Sequence, residues 1–107
     1  MPKTKDKKTP CPVEATLKVI GKKYAALIIR DLLSGKKRFG ELQSSLEGIS
    51  PRTLSIRLRE LEKDCIIDRK AYPVIPLKVE YSLTKSGHEL HRIIEKMAEW
   101  GVKYKDC

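Results

Sequence analysis

The chain has 107 residues and a mass of 12.2 kDa, enough for one domain built around one hydrophobic core. Lysine and arginine number 23 against 14 aspartates and glutamates, so the formal net charge is +9. Strongly basic small domains usually bind a polyanion, most often nucleic acid. No apolar run reaches the roughly 18 residues that a membrane-spanning helix needs, which excludes that class of protein.

Residues 1–10 combine four lysines with one aspartate and have no apolar side chain after Met1. We expect them to form a disordered basic arm ahead of a single domain over residues 11–107. A secretory signal needs an apolar segment that this stretch lacks, so we expect a cytoplasmic protein. Three cysteines, Cys11, Cys65 and Cys107, do not make a disulfide framework because their number is odd.

Apolar residues at helical spacing predict two helices in the first third of the chain. The first begins at Pro12, which suits the opening turn of a helix, and ends at Gly21. The second runs from about Tyr24 to Leu33, and Gly35 follows where a helix end favours positive φ. The candidate core residues of this second helix are Leu27, Ile28, Leu32 and Leu33.

The middle of the chain predicts a third, short helix over about residues 39–46, closed by Gly48. Ser50 followed by Pro51 is a strong start for a fourth helix, which runs to about Asp64. One face of this fourth helix is apolar and is predicted to be core. It carries Leu54, Leu58, Leu61 and Cys65.

After Cys65 the helical spacing gives way to two short strands within residues 66–83, joined by a proline-bearing loop. Together they predict a β-hairpin. Thr84 then suits the N-cap of a final helix over about residues 85–104. The apolar stripe of that helix consists of Leu90, Ile93, Ile94, Met97, Trp100 and Gly101.

The two helices joined by residues 47–50 form a helix-turn-helix candidate, and residues 51–64 are its predicted recognition helix in the major groove. Base contacts are expected from Arg52, Thr53, Ser55, Ile56 and Arg59. Backbone contacts are expected from Lys36, Lys37, Arg38, Ser50, Lys63, Arg69 and Lys78. The hairpin over about residues 66–83 would lie on the flank as a wing. An ordinary amphipathic helix with solvated basic residues is the alternative.

Five motifs follow one another along the chain: Cys11-Pro12-Val13-Glu14, Gly48-Ile49-Ser50-Pro51, Leu58-Arg59-Glu60-Leu61-Glu62, Tyr72-Pro73 and Val79-Glu80-Tyr81-Ser82-Leu83-Thr84. Together they resemble the HxlR-type winged helix-turn-helix regulators, from Cys11 to about Gly101. The resemblance implies a mainly α fold with a small β-hairpin wing and a transcription regulator that binds operator DNA. The family commonly has tryptophan at the position of Tyr24 and often has glycine at that of Cys65.

The resemblance also implies a homodimer in which the extra N- and C-terminal helices form the interface. An uncovered apolar stripe on the last helix is an independent physical reason for association. Packing of the whole stripe within one chain is the alternative. The expected interface residues are Val13, Leu17, Leu90, Ile93, Ile94, Met97 and Trp100.

Cys11 directly precedes the first predicted helix, where the helix dipole favours a thiolate. Some members of the resembled family sense oxidants or electrophiles through this cysteine, so Cys11 is a candidate redox sensor. An inert residue at the dimer seam is the alternative. Cys65 is expected to be a buried hydrophobic residue, and His88, His91 and Glu95 are expected on a solvated face rather than in a metal site.

The sequence therefore predicts a homodimeric, sequence-specific regulator that binds double-stranded DNA, with no enzymatic activity, cofactor or metal. A small-molecule or oxidant effector is left open. Two rival classes share the predicted fold. A non-specific architectural DNA-binding protein would bind all sequences equally, and a winged-helix protein-interaction module would lack salt-dependent affinity for DNA.

Overall fold

The computed structural model describes residues 11–105, which form five helices and one two-stranded antiparallel hairpin. In chain order the elements are α1 (Pro12–Ile20), α2 (Ala25–Leu32), α3 (Phe39–Ser45), α4 (Pro51–Lys63), β1 (Ile67–Tyr72), β2 (Lys78–Leu83) and α5 (Lys85–Tyr104). The predicted mainly helical fold with a hairpin wing is confirmed. The predicted arm over residues 1–10 and Cys107 lie outside the described residues. No helix within residues 11–105 is long and apolar enough to cross a membrane.

Hydroxyl caps begin the two helices that frame the hairpin, as the sequence predicts. The Ser50 hydroxyl accepts a hydrogen bond from the Thr53 amide at 3.1 Å, with Pro51 in the first helical turn. The Thr84 hydroxyl accepts from the Gly87 amide at 3.0 Å. These caps set where α4 and α5 start, and therefore which of their faces meet the core.

The core collects side chains from α2, α3, α4 and the hairpin around the buried face of α2. That face follows an i, i+3, i+4, i+7 pattern through Ala25, Ile28, Ile29 and Leu32. The expectation that Leu27 and Leu33 belong to the core is wrong, because both lie off this face and are 39% and 43% exposed. The fully buried residues include Ile28, Ile29, Leu32, Leu42, Leu46, Leu54, Leu58, Leu61 and Ile67.

The hairpin pairs Ile67 with Leu83 at its base and Tyr72 with Lys78 at its outer end. The connector before α3 lies along the other edge of β2. There the Lys37 amide donates to the Tyr81 carbonyl at 3.0 Å, and the Tyr81 amide donates back to the Lys37 carbonyl at 2.8 Å. This bridge brings the basic connector beside the wing.

The helix α5 packs on the core through Gly87, Leu90, His91 and Ile94. The expectation that His91 is solvated is wrong, because it lies one turn after Gly87 on this face and is only 6% exposed. The close approach needs glycine: a Cβ atom at Gly87 would lie 2.3 Å from the Ile66 carbonyl oxygen. The exposed apolar face of α5 therefore lies on a different side of the helix from the face that packs on the core.

Cys65 is exposed, which contradicts the expectation that it belongs to the core. The expectation extended the leucine face of α4 to this position, but α4 ends at Lys63. Cys65 then adopts a left-handed backbone with φ of 62°, which turns its side chain away from that face. Positive φ also explains why glycine suits this turn.

We predict that Cys65→Gly stabilises the protein. A left-handed backbone is unfavourable for residues with a Cβ atom, and the exposed thiol contributes little packing, so the free energy of unfolding should rise by about 0.5–1 kcal/mol. Urea unfolding under reducing conditions measures this change. Cys65→Ala keeps the Cβ atom and is the matched control, for which no gain is expected. Equal stability of the glycine and alanine variants would contradict the strain argument.

Candidate nucleic-acid interface

The helix α4 separates an apolar inner face from a basic outer face. Leu54, Leu58 and Leu61 are at most 2% exposed. Arg52, Ser55 and Arg59 consequently face solvent, whereas Thr53 and Ile56 are half-buried at the margin. Ile56, which as a base-contacting residue was expected to be exposed, is half-buried.

Arg52 and Arg59 are not engaged by other parts of the fold. None of the ion pairs or side-chain hydrogen bonds formed within residues 11–105 involves either guanidinium. They are seven residues apart, two turns along the same face, so their side chains lie about 10 Å apart along the axis. A guanidinium fork in this state can bind a base edge or a phosphate bidentately.

Arg57 belongs to a different set of contacts, which the sequence analysis missed. Its Nε donates to the Lys23 carbonyl at 2.9 Å, and its Nη1 lies 3.2 Å from Glu60 Oε1. Lys22 Nζ lies 3.1 Å from the other Glu60 carboxylate oxygen. The hydrogen bond from Lys22, assisted by the charges of Lys22 and Arg57, lowers the pKa of Glu60. These contacts fasten α4 to the segment between α1 and α2.

The same segment also contacts the turn of the helix-turn-helix. Tyr24 adopts a left-handed φ of 76° as the N-cap of α2. Its hydroxyl lies 3.6 Å from where a Cβ atom at Gly48 would stand, and Gly48 has a φ of 82°. The segment between α1 and α2 therefore touches both the turn and the helix that follows it. These two contacts were hard to predict from the sequence, because the residues that meet are far apart in the chain: Tyr24 approaches Gly48, and Arg57 contacts Lys23.

A second basic group lies on the connector and the wing. Lys36 and Arg38 are exposed, and their charges, after Lys78, contribute to lowering the pKa of Glu80. The Lys37–Tyr81 bridge thus places the connector that carries Lys36 and Arg38 beside the strand that carries Lys78. Lys37 is half-buried, and its Nζ donates to the Ser34 hydroxyl at 3.2 Å.

The wing is internally braced near its outer end. The Tyr72 hydroxyl donates to Glu80 Oε1 at 2.9 Å, which lowers the pKa of Glu80 and raises the pKa of Tyr72. Lys78 Nζ lies 3.7 Å from Glu80 and 4.7 Å from the Tyr72 ring centroid. Lys78 therefore already has two partners within the wing, a carboxylate and an aromatic ring.

The other predicted backbone-contacting residues differ in how far they are engaged. Arg69 and Lys63 are exposed and form none of the ion pairs found within residues 11–105. The Ser50 hydroxyl already accepts the hydrogen bond that caps α4.

An apolar face runs along α1 and α5, away from the basic surfaces. Residues from both helices, Val13, Leu17, Ile93 and Met97 among them, line one open groove. Five of the residues expected at a dimer interface are 47–67% exposed, whereas Leu90 and Ile94 are half-buried against the core. The exposed five are Val13, Leu17, Ile93, Met97 and Trp100.

Cys11 lies at the end of this apolar face as the N-cap of α1. It is exposed, and its Sγ accepts a hydrogen bond from the Glu14 amide at 3.3 Å. Within residues 11–105, no group of three or more histidine, cysteine or acidic side chains is arranged to hold a metal ion.

The family of HxlR-like helix-turn-helix proteins matches residues 19–107. The chain belongs to this family. This HxlR-like chain is accordingly a helix-turn-helix transcriptional regulator of a DNA-binding family, and not an enzyme. Among its relatives is the HTH-type transcriptional regulator YdeP of Bacillus subtilis (strain 168), which is 48% identical over 96 residues, or 90% of this chain and 75% of YdeP.

Solved structures support the same assignment of the HxlR-like chain. The redox regulator HypR in its reduced form matches with a TM-score of 0.85 and 45% identity, over 89% of this chain and 94% of HypR. The reduced form of the transcriptional regulator YodB from B. subtilis matches with a TM-score of 0.79 and 36% identity, over 90% of this chain and 95% of YodB.

Proposed function

We propose that this protein binds double-stranded DNA sequence-specifically as a homodimer, with α4 in the major groove. The observation that carries the proposal is the outer face of α4, where Arg52 and Arg59 are exposed and unengaged within residues 11–105. Because three leucines bind the opposite face to the core, this is the face that α4 can present to a groove. We assign base contacts to Arg52, Thr53, Ser55, Ile56 and Arg59.

Around this helix, cationic side chains supply the sequence-independent part of the affinity. We assign contacts with the DNA backbone to exposed residues around α4 and to the half-buried Lys37 and Lys78. On binding, the ammonium groups of these two lysines would leave Ser34 and Glu80 and contact phosphates instead. The set is Lys36, Lys37, Arg38, Ser50, Lys63, Arg69 and Lys78. Ser50 would make its contact while its hydroxyl still caps α4, so we expect it to contribute least.

We predict that Arg52→Ala and Arg59→Ala each weaken binding by about 1–3 kcal/mol and relax sequence preference at the contacted base pair. The protein is first used to select duplexes from a randomised library, and fluorescence anisotropy of the selected and shuffled duplexes then gives Kd across a salt series. Arg92→Ala, which removes an exposed arginine from α5, is the matched control and should leave Kd unchanged.

The same experiment separates the rival classes. Enrichment of one motif by about 10³-fold over shuffled DNA, with a steep salt dependence, is expected of a specific regulator. Equal, salt-sensitive binding to every duplex would instead indicate an architectural protein. Absence of binding at low salt would indicate a protein-interaction module.

The proposed homodimer is supported by the apolar face shared by α1 and α5. Five large apolar side chains there are about half or more exposed, and four of them line one groove, as expected of a surface that another copy covers. A twofold axis through this patch would pair the recognition helices of two copies, and operators for such dimers carry half-sites about 34 Å apart.

We predict that Leu17→Lys and Met97→Lys each convert the dimer to a monomer, because a charge placed in an apolar interface must be desolvated without a partner. Sedimentation equilibrium should give twice the 12.2 kDa chain mass for the wild type and the single mass for both variants. Leu33→Lys alters an exposed leucine at the C-cap of α2 and should remain dimeric. A wild-type protein that sediments as a monomer at micromolar concentration would refute the homodimer.

We further propose that Cys11 makes DNA binding responsive to oxidants. Its thiol is exposed, and as the cap of α1 it stands next to the proposed dimer surface. A peroxide would transfer one oxygen atom to the thiolate, leaving hydroxide and a sulfenic acid that can condense with a second thiol. Either product would replace the Sγ cap and change packing beside Val13. That HypR is a redox regulator at 45% identity supports this proposal.

We predict that hydrogen peroxide changes the operator affinity of the wild type at least tenfold and that dithiothreitol reverses the change. Cys11→Ser should bind the operator with the same affinity in both conditions. Cys65→Ser is the control for the other exposed thiol within residues 11–105 and should respond as the wild type does. An oxidant response that survives in Cys11→Ser would rule out this sensor.

A further inference from the structure

The tip of the wing, residues 73–77, is apolar, and the rest of residues 11–105 leaves it exposed. Its sequence Pro-Val-Ile-Pro-Leu contains no charged or hydrogen-bonding side chain. Val74 is 51% exposed, Leu77 is 66% exposed, and Ile75 is 101% exposed, so the Ile75 side chain makes almost no contact with the described chain. Aliphatic side chains presented in this way gain free energy when another surface covers them.

The strands below the tip are cationic and braced. Lys70 and Lys78 place their Nζ atoms 5.1 Å and 4.7 Å from the Tyr72 ring centroid, and Tyr72 is tied to Glu80. Lys36 and Arg38 flank Lys37, whose backbone pairs with Tyr81 at the edge of the hairpin. An apolar tip on a cationic support is complementary to the minor groove, where two phosphate ridges flank a floor of base edges. A protein partner would not require that ring of cations.

We propose that Ile75, at the wing tip, makes the protein prefer A·T pairs in the minor groove that flanks the major-groove site. The inference rests on the proposed function, since α4 must first dock to bring the wing to the flank. At a G·C pair the guanine 2-amino group projects into the minor groove, and A·T pairs lack it. An aliphatic side chain offers that amino group no acceptor, so covering it leaves a donor unsatisfied.

The test uses inosine to separate the two grooves. An I·C pair presents the major-groove edge of G·C but lacks the minor-groove amino group. Duplexes carrying the selected motif are made with A·T, I·C or G·C pairs at the flanking positions, and Kd is measured for the full chain. The wild type should bind the A·T and I·C duplexes about fivefold more tightly than the G·C duplex, a difference of about 1 kcal/mol.

The variant Ile75→Ala should bind the three flanks equally while still preferring the central motif over shuffled DNA. The change removes only a fully exposed side chain, so the midpoint of thermal unfolding should not move. Leu33→Ala, which truncates an exposed leucine at the C-cap of α2, is the matched control and should keep the wild-type preference.

Three results would overturn the inference while leaving the proposed function intact. They are equal binding of the wild type to all three flanks, an I·C duplex that behaves like G·C, and an Ile75→Ala variant that keeps the A·T preference. The first would show that the tip does not read DNA and would redirect it to a protein partner. Absence of selective binding to the central motif is a separate outcome, which would refute the proposed function and this inference with it.

Discussion

Burial of the leucine face of α4 is the constraint on which the rest of the arrangement depends. Leu54, Leu58 and Leu61 share one core with α2 and α3, and removing any of them from that core would cost several kcal/mol. Because a helix is rigid, burying one face determines the direction of the other. Arg52 and Arg59 point outward for this reason, and neither side chain takes part in the ion pairs or side-chain hydrogen bonds found within residues 11–105. Packing of α4 on the core thus determines the direction in which the candidate DNA-binding surface faces.

Polar contacts then connect the recognition helix to the rest of the chain. Arg57 and Glu60 join α4 to the segment between α1 and α2, and Tyr24 approaches the turn at Gly48. That segment directly follows the helix capped by Cys11. A rearrangement of α1 therefore has a short physical route to α4 through these polar contacts, in addition to the route through the core that Ile20 of α1 shares with α4. Such contacts are individually weak where they are exposed, so they suit an adjustable connection better than a rigid one.

Several features followed from the sequence because they depend on neighbouring residues alone. Ser50-Pro51 and Thr84 cap helices by local hydrogen bonds, and the leucine spacing of α4 identifies its buried face. Errors arose where long-range packing decides. Leu27 and Leu33 are apolar and yet exposed, because neighbours elsewhere in the chain select the Ile28 and Ile29 face of α2. His91 is polar and yet buried, because the close approach at Gly87 brings its face of α5 onto the core.

By itself, the sequence determined the order of the helices, the hairpin, the buried face of α4 and the family, since periodicity, caps and ordered motifs are local properties. Only the tertiary structure decided which charges are free and which are engaged. Arg57 is bound to the Lys23 carbonyl and Glu60, and Lys78 lies beside Glu80. Arg52 and Arg59 form no such contacts within residues 11–105. Cys65 is exposed because of its positive φ. The physical reason is that a charge or a thiol acquires its environment from residues distant in the chain, which only folding brings within a few ångströms.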